Sequence, residues 1–257
     1  MNKVLLFNPR SAKYKPRIPN SILAIASSVE GLFEYVIVDG NMETDPWEKI
    51  HQYLSEGGFG YFGCTSMPGP QLKQAIPVSQ NIRALFPEIK IIWGGYFPSN
   101  QSKVVLSSGY VDFVINGPGE KTFPALLHAL EKNEPFELIH NLIYRSGEQI
   151  IKTPKDELYD PDELPALPYD KLNSFYPLKR YLGKTYLGTK TIAYHSSMGC
   201  PFKCSFCAVV PIYNARWRGK SAELIYKDIK HLKENYGGNA IEFHDNNFFV
   251  SEKRTVE

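Results

Sequence analysis

The chain has 257 residues, 43% of them hydrophobic and 22% charged, the balance of a globular protein with one large or two ordinary domains. A net charge of +2 leaves no basic footprint for nucleic acid, and the longest apolar runs are strand-sized, so neither a nucleic-acid partner nor a membrane is expected. Four cysteines with three clustered argue for a reducing compartment, and the apolar part of Met1 to Pro9 is too short for a signal peptide, so the expected location is the cytoplasm.

Through residue 136, continuous apolar runs recur at Val4–Phe7, Tyr35–Val38, Tyr61–Cys64, Ile89–Trp93 and Phe113–Ile115, as in strands buried on both faces. Helical patterns lie between them. Asn20 or Ser21 opens the first and Gly31 closes it. The second has Asp45 as cap, Pro46 at the first helical position, Glu48 in a capping box and Gly57 as its stop. The third spans residues 71–86 and carries Pro77, which predicts a kink or a late start. A short fourth lies near 101–106 and a fifth runs over 120–132. The alternation predicts an α/β fold with a doubly wound, Rossmann-like parallel sheet.

Ligands of such sheets bind beyond the carboxyl ends of the strands. Those ends read Asn8-Pro9, Asp39-Gly40, Thr65-Ser66, Gly94-Gly95-Tyr96 and Gly117-Pro118-Gly119-Glu120. Glycine there permits close backbone approach to a bulky ligand, or simply a tight turn. The segments Gly94-Gly95-Tyr96-Phe97-Pro98-Ser99 and Val111-Asp112-Phe113-Val114-Ile115-Asn116-Gly117-Pro118-Gly119-Glu120-Lys121-Thr122 resemble the cobalamin-binding domain that precedes the radical SAM domain in one large class. Two departures are Tyr96-Phe97 where His is usual and Pro118 where Glu is usual. The resemblance implies cobalamin held against Thr65, Ser66, Gly94, Gly95, Tyr96, Gly117, Gly119 and Glu120. The Asp-x-His-x-x-Gly fingerprint is missing and the first histidine is His51, which implies that cobalamin binds without a protein histidine. The alternative is a sheet of this type that has lost its cofactor.

Residues 137–188 read as a hairpin and a connector. Asn141–Tyr144 and Gln149–Lys152 flank a turn holding Gly147. The acidic, proline-rich run 156–168 then reads as extended. Both resemble the linker of the same class. Tyr169, Phe175, Tyr176, Tyr181 and Tyr186 follow, either packing residues or the lining of a substrate channel.

In residues 189–257, a strand at Thr191–Ser196 runs into Cys200, Cys204 and Cys207, spaced Cys-x3-Cys-x2-Cys. Three soft thiolates hold three irons of a [4Fe-4S] cube and leave the fourth open. A structural zinc site completed by His195 or His244 is the other reading. The stretch 199–207, with Phe206 before the last cysteine, resembles the cluster loop of radical SAM enzymes. The resemblance implies that the open iron chelates S-adenosylmethionine and that one electron then releases a 5′-deoxyadenosyl radical. It implies an electron donor such as flavodoxin or ferredoxin, and a (β/α) barrel whose chemistry lies on the loops after its strands. Arg216–Ser221 resembles a segment common after that loop. Ser221 caps a helix that ends at Gly237-Gly238, and a second strand ends at His244. Glu242 and His244 share one face of it. Phe243–Phe248 resembles a segment that contacts the methionyl amino group, which implies roles for Glu242, Asp245 and Asn246. A strand-end cap is the plain alternative for Asp245.

Together these readings give a cobalamin-binding domain over 1–136, a hairpin and linker over 137–188, and the start of an incomplete radical SAM barrel over 189–257. The implied reaction is cobalamin-dependent methyl transfer to an unactivated carbon of a small-molecule substrate. The alternatives are a radical SAM oxidoreductase or cyclase without cobalamin, or an iron-sulfur module with no turnover.

Overall fold

In the computed structural model, which describes residues 2–12 and 16–257, each apolar run of the first half becomes a strand. The chain divides into two units. The first comprises Met1–Lys13 and Ser21–Asp156, the second Tyr14–Asn20 and Glu157–Glu257.

The first unit runs β1 (Lys3–Asn8), α1 (Asn20–Val29), β2 (Tyr35–Asp39), α2 (Pro46–Glu56), β3 (Phe59–Thr65), α3 (Leu72–Leu85), β4 (Lys90–Gly94), α4 (Tyr96–Asn100), α5 (Ser102–Ser107), β5 (Phe113–Ile115), α6 (Thr122–Lys132), β6 (Leu142–Ser146) and β7 (Gln149–Lys152). Its seven-stranded sheet has the order β2-β1-β3-β4-β5-β6-β7. The strands are parallel through β5 and antiparallel from β5 to β7. One face buries Leu5, Phe7, Phe62 and Trp93 with Ile50 of α2, Ile82 of α3 and Val105 of α5. Leu6 points the other way, and Gly63 leaves room there for Leu6 and Phe123 of α6: a Cβ would stand 3.0 Å from Leu6 Cδ2.

Helix ends follow local chemistry. The Asp45 carboxylate accepts from Trp47 N at 2.9 Å, and Gly31 has φ +74° just beyond α1. α3 passes through Pro77 without a late start. The hairpin expected in the linker is part of the sheet. Its buried Leu142 and Ile143 pair with the short strand β5, which would otherwise be an edge, and the first unit reaches Asp156.

The second unit holds α7 (Tyr169–Phe175), β8 (Thr191–Tyr194), β9 (Ser197–Gly199), α8 (Val210–Tyr213), β10 (Trp217–Gly219), α9 (Ala222–Tyr236), β11 (Ala240–Phe243) and α10 (Glu252–Val256). β8 and β11 are parallel, with α9 as crossover, and β9 and β10 are antiparallel. The Ser221 hydroxyl accepts from Leu224 N at 3.1 Å, and Gly237, at φ +77°, ends α9. Tyr169, Tyr176 and Tyr181 are buried packing residues, while Tyr186 is exposed. Among the described residues no helix is long and apolar enough to cross a membrane.

Candidate cofactor-binding site

The three clustered cysteines lie on a loop closed at its base. β9 pairs with β10 in the register Gly199↔Trp217, Met198↔Arg218 and Ser197↔Gly219, so residues 200–216 leave and return at one place. Gly199 has φ +77°, and a Cβ on it would run into the Arg216 carbonyl and the Tyr213 ring. Only glycine fits there. Within the loop, Cys207 N donates to Cys204 O at 3.1 Å and Val210 N to Cys207 O at 3.3 Å. Cys204 is exposed, Cys200 and Cys207 are half-buried, and Phe206 is 90% exposed.

The base of the loop is fixed from two sides. Asp245 accepts from Ser196 N and Ser196 Oγ, each at 3.0 Å, and from Ser197 Oγ at 2.5 Å. Arg254 of α10 donates to Ser196 O and Lys220 O, each at 2.9 Å, and its guanidinium lies over the Trp217 and Phe248 rings. Lys220 Nζ donates to Tyr194 Oη at 2.8 Å and Asp228 Oδ2 at 3.0 Å. Burial and the Asp228 carboxylate push the Tyr194 phenol far up, so it stays protonated as the donor to Asp228.

Glu242 lies at the end of β11, its Oε2 3.2 Å from Arg17 Nη2 and 3.3 Å from His244 Nε2. Asn246 is on the surface. Among the described residues no three His, Cys, Asp or Glu side chains gather as a mononuclear metal site would require. A cube binds each thiolate on a different iron and does not ask its ligands to meet at one point.

In the first unit, the strand order reverses between β1 and β3, the place where such sheets bind ligands. Thr65 ends β3 there. Ser66 is fully buried, and its backbone is taken up by Gly94 O and Phe97 N. Asn8 Nδ2 donates to Asp39 Oδ1 at 3.0 Å, and Gln71 spans Pro9 O at 2.9 Å and Met67 N at 2.7 Å. Gly95 has φ +95°, and a Cβ there would stand 2.9 Å from Ser66 O, so this glycine serves chain against chain. Gly119 makes room for Ile25 in the same way. Gly94 is different: nothing lies within 4 Å of where its Cβ would be. Tyr96 opens α4, with its carbonyl accepting from Asn100 Nδ2, and Gly117, with φ +127°, and Glu120 are half-buried after β5. The Oδ1 of Asn116 is buried beside them without a hydrogen-bond partner.

Residues 16–127 match the B12 binding domain family. Over 99% of its length the chain is 26% identical to an uncharacterized methyltransferase, PH0819, of Pyrococcus horikoshii, and covers 56% of that protein. Over 65% of its length it is 29% identical to the anaerobic magnesium-protoporphyrin IX monomethyl ester cyclase of Synechocystis, covering 32% of that protein. It superposes over 99% of its length on 49% of the radical S-adenosylmethionine methyltransferase TsrM of Kitasatospora setae, solved with cobalamin and a [4Fe-4S] cluster, with a TM-score of 0.76 at 18% identity. The chain thus matches the B12 binding domain family over residues 16–127 and shares the fold of about half of that solved enzyme.

In the B12 domain, the open space at Gly94 and the unpaired acceptor on Asn116 fit a broad ligand fringed with amide N–H groups, as cobalamin is. His51 on α2 packs against Trp47 and Phe86, and His128 on α6 against Phe33, so neither stands at a strand end. Sequence reasoning placed Asn8 at a strand end and Asn116 in the resembling segment but gave neither a role, and it passed over Gln71. An asparagine ending an apolar run was the available signal for Asn8 and Asn116, whereas nothing marked Gln71.

Proposed function

We propose that this chain is the cofactor-binding part of a cobalamin-dependent radical SAM methyltransferase acting on an unactivated carbon of a small molecule. The observation that carries the reading is the cysteine loop: three thiols on one accessible loop, closed at its base and set at the carboxyl end of β8. When bound, the [4Fe-4S] cluster would supply the electron that cleaves S-adenosylmethionine, and cobalamin the methyl group. The chain's own part is to present three thiolates, to keep Phe206 beside the last of them, and to hold the loop's base through Asp245 and Arg254. Asp245 is committed to Ser196 and Ser197, and Glu242, paired with Arg17 and His244, is the other acid at that strand end. The B12 domain would hold cobalamin over Gly94 and Asn116 without a histidine. A reduced flavodoxin or ferredoxin is the donor this chemistry calls for. The similarity to a cyclase keeps ring formation as a second outcome of the same machinery.

Anaerobic reconstitution with iron and sulfide tests the reading. Wild-type protein should hold about four irons per chain, and SAM should alter the spin-resonance spectrum of the reduced cluster. Cys200→Ala, Cys204→Ala and Cys207→Ala should each lose the cluster. Cys64→Ala should keep it, because Cys64 is buried in the sheet and burial pushes its thiol well up. Zinc in place of iron, or iron that does not respond to SAM, would overturn the proposal.

A further inference from the structure

The first unit has an open groove of about 480 Å³, a size within the range of small-molecule sites. It lies beside the link between β4 and β5, which is two short helices, α4 and α5, instead of one long one. None of Thr65, Ser66, Gly94, Asn116 or Gly117 lines it. Ile76 of α3, Phe97 of α4 and Val104 of α5 give it an apolar lining, and Trp93, almost wholly covered, closes the floor with Val105. Val104 is 62% exposed, so this apolar surface faces solvent.

The polar atoms of the lining fall into two groups. Trp93 Nε1 donates to Ser79 Oγ at 3.0 Å and Ser108 Oγ to Val105 O at 2.6 Å, so both are already spent. Lys103 Nζ, Ser107 Oγ and Tyr110 Oη have no hydrogen-bond or ion-pair partner among the described residues. No Asp or Glu lines the groove. The lining therefore offers one positive charge, two free hydroxyls and no opposing carboxylate. An ammonium would be repelled by Lys103, and a neutral molecule would gain nothing from it. A phosphate monoester would bring close to two negative charges to a single lysine. A carboxylate matches it one to one and accepts from either hydroxyl as well. We propose that this groove binds a small monocarboxylate with an alkyl or aryl body. The carboxylate pairs with Lys103 Nζ, and the body covers Ile76, Phe97 and Val104. Burial of that body supplies the affinity, and Lys103 supplies the choice of head. Neither the cysteine loop nor cobalamin takes part, so this site stands or falls apart from the proposed function.

Isothermal titration of the intact chain tests the site. The probes are octanoate and phenylbutyrate, with octanol, octylamine and octyl phosphate as changes of head on the same alkyl body. The expected result is saturable binding of one carboxylate per chain. Each of the other heads should bind more weakly by roughly tenfold or more, the scale of one hydrogen bond to a charged group. Lys103→Gln should bring the carboxylates down to the level of octanol, whose own binding it leaves unchanged, and Lys103→Arg should keep the preference. Ser107→Trp should fill the groove and abolish binding of every probe. Both positions are exposed, so melting temperature and circular dichroism of the variants should match wild type. No binding of either carboxylate, a preference untouched by Lys103→Gln, or octyl phosphate binding more tightly than octanoate would overturn the proposal. So would a dimer in sedimentation that Ser107→Trp dissociates, since a second copy of the chain would then occupy the groove.

Discussion

Tyr61 and Glu131 share one hydrogen bond of 2.9 Å, and each end of it titrates away from its ordinary value. Hydrogen bonds from Asn2 N, then from Tyr61, hold the Glu131 carboxyl below 4.5, while burial, then Glu131, pushes the Tyr61 phenol from 10.0 up to about 12. A lowered carboxyl stabilises the fold above its unfolded value and loses that contribution as pH falls through the folded one. A raised phenol stabilises below its unfolded value and loses that as pH rises through the folded one. The bond should therefore contribute in full between about pH 4.5 and 10. Urea midpoints of wild type and Glu131→Gln should differ most at neutral pH and converge below pH 4.5. A difference that stays constant across that range would remove the assignment. At this scale the three loop cysteines were legible because their chemistry is local, three soft ligands within eight residues. The Arg17 pair with Glu242 and the Asn20 bond to Ala193 O were not legible, since Asn20 meets Ala193 173 positions along the chain.

Among the elements, Gly199 and Gly147 make a controlled comparison. Both have positive φ, +77° and +59°. Nothing lies within 4 Å of a Cβ at Gly147, in the β6–β7 turn, whereas at Gly199 a Cβ meets the Arg216 carbonyl and Tyr213. Alanine at Gly147 should cost only the left-handed conformation, about 1–2 kcal/mol. At Gly199 the clash is with backbone that strand pairing holds in place, so the β9–β10 base must open as well. Gly199→Ala should thus lower the melting temperature more than Gly147→Ala and reduce iron loading, which Gly147→Ala leaves unchanged. Equal iron content in the two variants would show that the closed base does not govern the cysteine loop. The helices with strong caps, α2 and α9, were readable from Asp45, Gly57, Ser221 and Gly237. The three-residue strands β9 and β10 were not, because so short a pair carries no periodicity and forms only when the chain returns. The hairpin was visible as a hairpin, but its pairing with β5 is a tertiary choice that local turn chemistry cannot announce.

At the scale of the whole molecule, the two units differ in how they are held together. Of the twelve largest fully buried side chains among the described residues, ten, including Trp93, Phe7, Phe62 and Phe123, are in the first unit, and Tyr181 and Tyr194 are in the second. Each such side chain is worth about 1.5–3 kcal/mol against exposure, so most of the apolar stabilisation belongs to the seven-stranded sheet. The second unit has two two-stranded sheets, a size that is marginal by itself, and relies on polar ties such as Tyr194 with Asp228 and Lys220. It also takes Arg17 and Asn20 from the segment that follows β1. A cut after Asp156 therefore treats the pieces unequally. Residues 1–156 keep every strand and core helix of their unit. Residues 157–257 lose the Arg17 partner of Glu242 and the Asn20 bond to Ala193 O, and keep only His244 beside Glu242. Expressed separately, residues 1–156 should unfold in a single cooperative transition close to that of the intact chain's more stable part. Residues 157–257 should show native-like helix signal but little cooperativity and weak protection in hydrogen exchange, highest in α9 and the β8–β11 pair. Reconstituting that piece should load less iron than the intact chain does, even though all three cluster cysteines are present in it. If residues 157–257 instead melt as sharply as the intact chain and take up the same iron, the polar ties and the borrowed segment are dispensable, and the second unit is an independent domain.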